Sequence, residues 1–267
     1  KEKTSGLLFD LNKQSHIFVP RSITFDSCEY LITIIHSYCF NCLNGLKTIE
    51  FPEDSELQII DKRSFLNTEL ERISFPSSIR KINERAFNLC QKLKSIEFSD
   101  KIDSITFAKK SFQYLGAVPI SIKANNVIIE KKAFENSKIT QFSVDAKNVK
   151  INKSAFYFCS NIKKFLVSEE TENLTIDIEV FARSSIECVS ILAKNSFIGN
   201  NGFSDCDNLR KIEFSNRSES LTIDTFAFAC TPVESIIFPS KRTQLFDNCF
   251  RNCENLKKVE FVSDLDY

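Results

Sequence analysis

The sequence predicts a repeat solenoid of the β-rich α/β class. Short strands stack in parallel, coil upon coil, and short helical or 3-10 turns return the chain. Three observations predict it. Phenylalanine recurs at Phe40, Phe65, Phe87, Phe112, Phe134, Phe156, Phe181, Phe203, Phe228 and Phe250, with only two spacings, 22 and 25 residues. A short alternating apolar segment follows each of these anchors. An apolar residue also stands five positions before nearly every one, as in Ile60, Ile82, Phe107, Ile129, Ile151, Ile176, Ile198, Ile223 and Leu245. A period of 22 to 25 is too short for a pair of helices and suits one strand, a turn and a return segment per coil.

The first 35 residues fit the period poorly. Val19-Pro20 reads as a strand end and Phe25-x-x-Cys28-x-x-Leu31 mimics an anchor, yet Phe40 follows too soon. Residues 1–35 are therefore expected to form an irregular coil or cap, and residues 36–267 about ten repeats. Within each repeat, triplets such as Ile49-Glu50-Phe51, Ile73-Ser74-Phe75, Phe142-Ser143-Val144 and Val259-Glu260-Phe261 alternate apolar with polar. Such alternation marks a strand with one face buried. It sets strand centres at residues 50, 74, 97, 121, 143, 166, 190, 213, 237 and 260. The residues leading to each anchor, such as Asn83-Glu84-Arg85-Ala86, tolerate helix but span only about one turn.

One coil cannot bury its own apolar side, so stacked coils bring like residues into columns. That explains 26 phenylalanines in a chain without Trp or Met and with five glycines. Ten are anchors, eight close or open strands (Phe51, Phe75, Phe98, Phe142, Phe165, Phe214, Phe238, Phe261), and Phe107 precedes an anchor. These 19 are assigned to the core.

Lys+Arg and Asp+Glu are both 35, and charge is expected to balance within each coil. With the aromatics assigned to the core, this argues against nucleic acid, which needs a basic stripe with exposed aromatics. No apolar run approaches the ~18 residues of a membrane span. The start, Lys1-Glu2-Lys3-Thr4, opens no signal-peptide pattern, so a fragment or processed chain is expected.

Of ten cysteines, Cys90, Cys159, Cys206 and Cys253 share one column, three after the anchor, and never in adjacent coils. Coils two apart lie roughly 9–10 Å from each other, beyond disulfide reach, so these thiols are expected to be reduced and buried. Cys39-Phe40-Asn41-Cys42 is formally C-x-x-C but lacks the context of a redox or zinc motif. Only His16 and His36 are available, and no phosphate-cradling or nucleophile motif occurs. The expectation is no catalytic residue, no metal and no cofactor. The sequons at Asn152, Asn173 and Asn216 are assigned to turns between coils and are candidate glycosylation sites.

The phrase Ala-Phe-x-x-Cys-x-x-Leu-x-x-Ile-x-Phe-Pro resembles the BspA-like leucine-rich repeats. It runs clearest through Phe40–Pro52, Phe65–Pro76, Phe87–Phe98, Phe203–Phe214, Phe228–Pro239 and Phe250–Phe261. The strand-ending Pro survives only at Pro52, Pro76 and Pro239, and Phe replaces Leu in many columns. The resemblance implies a right-handed leucine-rich-repeat solenoid with a parallel sheet on its concave face. It also implies a cell-surface or secreted module for adhesion or recognition, with a protein ligand such as a host-cell or matrix protein. An intracellular scaffold of the same fold is the alternative, favoured by unpaired cysteines.

The residues flanking each inward pair face outward. In the C-terminal half these columns read Lys164, Cys188, Lys211, Ser235, Lys258 and Leu166, Ser190, Glu213, Ile237, Glu260. Lys164, Leu166, Lys211, Glu213, Ile237, Lys258 and Glu260 are the candidate partner-binding residues. Leu166 and Ile237 are expected to form a small apolar contact rimmed by charge. The chain stops six residues after its last strand centre region, at Tyr267, without a polar cap. The exposed end is a candidate homo-oligomer contact, or the natural protein continues.

Overall fold

The computed structural model describes residues 15–239 and 242–262. The alternating triplets form the strands Thr48–Glu50, Arg72–Phe75, Ser95–Phe98, Pro119–Ile129, Gln141–Ile151, Lys164–Val167, Cys188–Ile191, Lys211–Phe214, Ser235–Phe238 and Lys258–Phe261. Each expected strand centre falls within one of them. Every hydrogen-bonded pair among these ten is parallel, in the register of the repeat: Phe142 opposes Phe165, which opposes Val189. His16–Phe18 adds to the front of the row by pairing in parallel with Thr48–Glu50. The ladder is interrupted after Ser95–Phe98 and after Lys211–Phe214.

A second parallel sheet, which the period alone did not reveal, runs along the return segments. It comprises Ile34–Ile35, Ile59–Ile60, Lys81–Ile82, Ile102–Phe107, Asn173–Ile176, Asn195–Ile198, Ser220–Ile223 and Arg242–Leu245. The far ends of Pro119–Ile129 and Gln141–Ile151 complete it. Those two strands are eleven residues long and serve both sheets. Their register, Ile120 to Phe142 and on to Ile129 to Ile151, holds without a slip. The residue five before the anchor is the last inward residue of this second sheet. Another inward column, Ile105, Val127, Val149, Leu174 and Leu221, stands two positions earlier and is buried.

The anchors stack into one continuous ladder of ten rings. Neighbouring centroids lie 4.8–5.5 Å apart and the planes are within 18° of parallel. The spacing is set by the strands, which repeat at about 4.8 Å, and suits offset stacking. Phe75 and Phe142 meet this ladder edge-on from the first sheet, at 5.8 Å from Phe87 and from Phe134. Burial is uneven. Phe51, Phe98, Phe214 and Phe250 are half-buried and Phe261 is 60% exposed. Phe25, the supposed anchor mimic, is exposed and belongs to an antiparallel hairpin, Ser22–Phe25 with Cys28–Leu31. Asp26 and Ser27, both at positive φ, close it in a two-residue turn.

The described residues contain no helix; the expected helical turns are replaced by chained tight turns. The reason lies in the residues two before and two after each anchor. All twenty sit at positive φ, between 53° and 64°, and none is glycine. A left-handed residue every fourth position stops a right-handed helix from propagating. The amides that a helix would use internally go instead to the next coil. Around Phe87, the N–H groups of Arg85, Phe87 and Leu89 donate to the carbonyls of Lys109, Ser111 and Gln113, at 3.3, 2.7 and 3.0 Å. The turns thus form a third inter-coil ladder. None of the twenty residues is Ile, Val or Thr, the types for which positive φ is least tolerated.

The cysteine column also has a partner. Cys90 Sγ donates to the Phe65 carbonyl at 3.0 Å and lies 3.3 Å from Thr68 Oγ1. Cys159 does the same with Phe134 O and Ser137, Cys206 with Phe181 O and Ser184, and Cys253 with Phe228 O and Thr231. Burial raises the Cys90 thiol to about 11 and Cys159 and Cys206 to about 12. Cys90, Cys159 and Cys206 are thus structural hydrogen-bond donors held neutral, whereas Cys253, expected to be buried like them, is only half-buried because it lies in the last coil of the stack.

Candidate functional site

The first sheet leaves two outward columns in register. From its front end they read His16, Thr48, Arg72, Ser95 and Phe18, Glu50, Ser74, Glu97. Further along, Lys164 opposes Cys188 and Lys211, while Leu166 opposes Ser190 and Glu213. Ser235 opposes Lys258 and Ile237 opposes Glu260. The seven candidate residues therefore all lie on this outward face.

The structure does not bring all of them together. Lys211 pairs along its own strand with Glu213 at 3.9 Å, and Lys258 with Glu260 at 2.7 Å. Exposed pairs of this kind add little stability. Leu166 is half-buried, whereas Ile237 is 48% exposed. Ser190 and Glu213 stand between them in the column, so they lie three strand spacings apart, about 14 Å. The expected single apolar contact is thus two separate positions, because their distance is a count of coils. Cys188, half-buried, sits between Lys164 and Lys211.

A feature missed in the sequence borders this face. Except at Val118 and Thr140, the residue entering each of the ten strands is charged and alternates in sign: Lys47, Glu71, Lys94 near one end, then Lys163, Glu187, Arg210, Glu234, Lys257. Lys94 Nζ donates to Glu71 at 2.8 Å, and that bond, with the lysine's charge, holds the Glu71 carboxyl below its usual value. Lys163 meets Glu187 at 2.5 Å and Arg210 meets Glu234 at 3.7 Å. The signal was present as a third column, one position before the strand.

On the opposite sheet a row of amides runs through four coils. Asn148 Nδ2 donates to Asn126 Oδ1 at 3.0 Å, Asn173 to Asn148 at 2.9 Å and Asn195 to Asn173 at 3.4 Å. This corrects the placement of the sequons. Asn173 opens a strand and its amide is engaged on both sides, while Asn216 lies exposed in a turn and Asn152 sits at the end of its strand. The change follows from the second sheet, which claims residues read as turn.

Among the described residues no group of three or more His, Cys, Asp or Glu side chains could hold a metal ion. No helix there is long and apolar enough to cross a membrane.

Stacked parallel coils with two outward sheet columns define a solenoid repeat protein. The BspA-type leucine-rich repeat region model matches residues 14–111, 106–206 and 174–267, and the chain belongs to that family. No curated protein sequence matches it. Among solved structures, it is similar to a leucine-rich repeat protein from Bacteroides ovatus, at 19% identity and a TM-score of 0.58, over 93% of this chain and 63% of that one. A leucine-rich repeat protein from Eubacterium ventriosum gives 14% and 0.46, over 94% and 68%. The pneumococcal vaccine antigen PcpA gives 20% and 0.44, over 94% and 63%. The chain thus spans about 63% of the Bacteroides protein's length. The first of these shows a shared fold.

Proposed function

We propose that this chain is a non-catalytic binding module whose concave sheet recognises a protein ligand at a cell surface, a host-cell or matrix protein in the simplest case. One observation carries the reading. The inward columns are uniformly Phe, Ile and Val, whereas the outward columns change identity from coil to coil, with Lys, Ser, Glu, Leu and Ile at equivalent positions. A solenoid whose core is constant and whose open sheet varies offers a long, rigid recognition surface. Lys164, Leu166 and Ile237 are the residues we assign to contact, because Lys211 and Lys258 are occupied by their own glutamates. The surface placement rests on the family resemblance.

Surface labelling of intact cells with a membrane-impermeant reagent tests the placement, and the protein should be labelled without lysis. Replacing Leu166 and Ile237 with Ser tests the face: binding to cells or matrix should fall while thermal stability holds. Unchanged binding removes the face.

The second reading, an intracellular scaffold, is favoured by ten free thiols, of which Cys28, Cys39, Cys42 and Cys230 are exposed. Reducing compartments keep such thiols unpaired. Labelling only after lysis would select it.

A further inference from the structure

Overall neutrality conceals a strong segregation of charge. Residues 104–168 carry eleven lysines, no arginine and three carboxylates, while residues 169–267 carry ten basic and seventeen acidic side chains. The expectation that charge balances within each coil is therefore wrong for the coils of Phe112, Phe134 and Phe156.

The chained turns gather part of this charge into a line. Lys109, Lys131 and Lys153 each stand three residues before an anchor, and Lys110 and Lys132 two before. The column is held by backbone bonds between coils: Arg85 N–H to Lys109 O at 3.3 Å and Lys132 N–H to Lys153 O at 3.2 Å. The anchors beneath are 5.2 and 5.0 Å apart, so the lysines repeat at that interval. Lys132 is taken by Glu135 at 2.6 Å and Lys153 faces Glu179 at 3.7 Å. The ammonium groups of Lys109, Lys110 and Lys131 have no carboxylate within ion-pair distance among the described residues, although the Glu130 carboxylate accepts the Lys109 backbone N–H at 3.1 Å. Lys109 and Lys131 are exposed, whereas Lys110 and Lys132, at left-handed φ, are half-buried.

The aromatics here are not all in the core either. Tyr114 is 41% exposed and Phe158 is 43% exposed, each two residues after its anchor, and Tyr157 packs edge-on against Phe158 at 4.9 Å. The turns of these coils thus carry unpaired lysine ammonium groups together with an exposed Tyr114 ring, whereas the Phe158 ring is already covered by the Arg183 guanidinium at 5.8 Å.

We propose that this edge binds a linear sulfated polysaccharide. The row is narrow and straight, which fits a chain lying along the solenoid axis better than a flat membrane. Its unpaired cations are lysines, compact point charges, while the neighbouring Arg85 is taken by Glu84 at 3.9 Å; arginine's planar fork would suit bidentate recognition of phosphate and bases. The Tyr114 face offers a negative π-cloud to the polarised C–H groups of sugar rings. The site lies apart from the concave columns and does not rest on them.

The test is binding of the purified chain to immobilised heparin, with chemically desulfated heparin, single-stranded DNA and phosphatidylserine vesicles as alternatives. Heparin should retain the protein at 0.15 M salt and desulfated heparin should not. The variant Lys109→Gln/Lys110→Gln/Lys131→Gln should bind heparin at least about tenfold more weakly, with a shallower salt dependence because fewer counterions are released. The corresponding triple Arg variant should retain binding, and Lys92→Gln/Lys101→Gln should leave it unchanged. A wild type that heparin does not retain, or a triple Gln variant that binds as well as wild type, would overturn the proposal. Equal binding to desulfated heparin, or tighter binding to DNA or vesicles, would also overturn it.

Discussion

Phe134 and Phe156 lie with their rings parallel, at an interplanar angle of 0° and a centroid separation of 5.0 Å. They are 22 residues apart in sequence, and the contact repeats at every coil along the ladder. The rings are fully buried, so each fills a slot that its neighbours on both sides help to define.

Removing one ring from the middle of the ladder should therefore leave a cavity. Phe134→Ala is expected to cost about 3–5 kcal/mol, read as a lower midpoint in urea unfolding. Phe261→Ala, at a position 60% exposed, should cost well under half as much. Equal losses at both positions would mean that the mid-stack ring is not core.

The left-handed positions predict an unusual pattern of tolerance. Asn67 sits at φ 53° with an exposed side chain, its N–H donating to Asn88 O at 2.9 Å. Asn67→Gly should stay within roughly 0.5 kcal/mol of wild type, whereas Asn67→Val should lose about 1–2 kcal/mol. Calorimetric melting distinguishes them, and equal melting temperatures would argue against this backbone.

The buried thiols predict a pH effect. Cys159 is raised to about 12 by burial, above the ordinary thiol value in the unfolded chain. Between those values the unfolded thiol releases its proton and the folded one keeps it. The stabilisation is complete below the ordinary value and is lost as pH rises toward the folded one. Wild type should thus lose about 1.4 kcal/mol more per pH unit than Cys159→Ala between pH 9.5 and 11. At pH 8, Cys28, Cys39, Cys42 and Cys230 should react with a thiol reagent while Cys90, Cys159 and Cys206 react only on unfolding.

The amide row predicts which sequon is open to modification. In a glycosylating secretory host, Asn216→Gln should remove a glycan mass and Asn173→Gln should not, because Asn173 is held by Asn148 and Asn195. A glycan found on Asn173 would show that the row opens.

Strand register was legible because each triplet repeats against a fixed anchor, so Phe142 and Phe165 could be aligned by counting. The second sheet was half legible. The period marks Ile129 and Ile151 as apolar, but nothing in it joins Val127 and Val149, two positions earlier, to them as a strand. The backbone of the turns left a readable trace that went unused: the absence of Ile, Val and Thr at the twenty positions flanking the anchors. Without it, Asn83 to Phe87 reads as helix, since local propensity says nothing about amides that bond to another coil. The concave columns could be written down from the sequence. Whether Leu166 and Ile237 touch could not, because it depends on how many coils intervene. The lysine line was hidden by a net charge of zero, a sum blind to where charges fall along the stack.

The central claim is that the concave face meets a protein ligand. A photo-crosslinking amino acid at Ser235, exposed on that face, compared with one at Lys150, exposed on the opposite sheet, tests it most directly. Irradiated on intact cells or matrix, the Ser235 variant should yield a discrete protein adduct and the Lys150 variant none. An adduct from Lys150 with none from Ser235 would contradict the account.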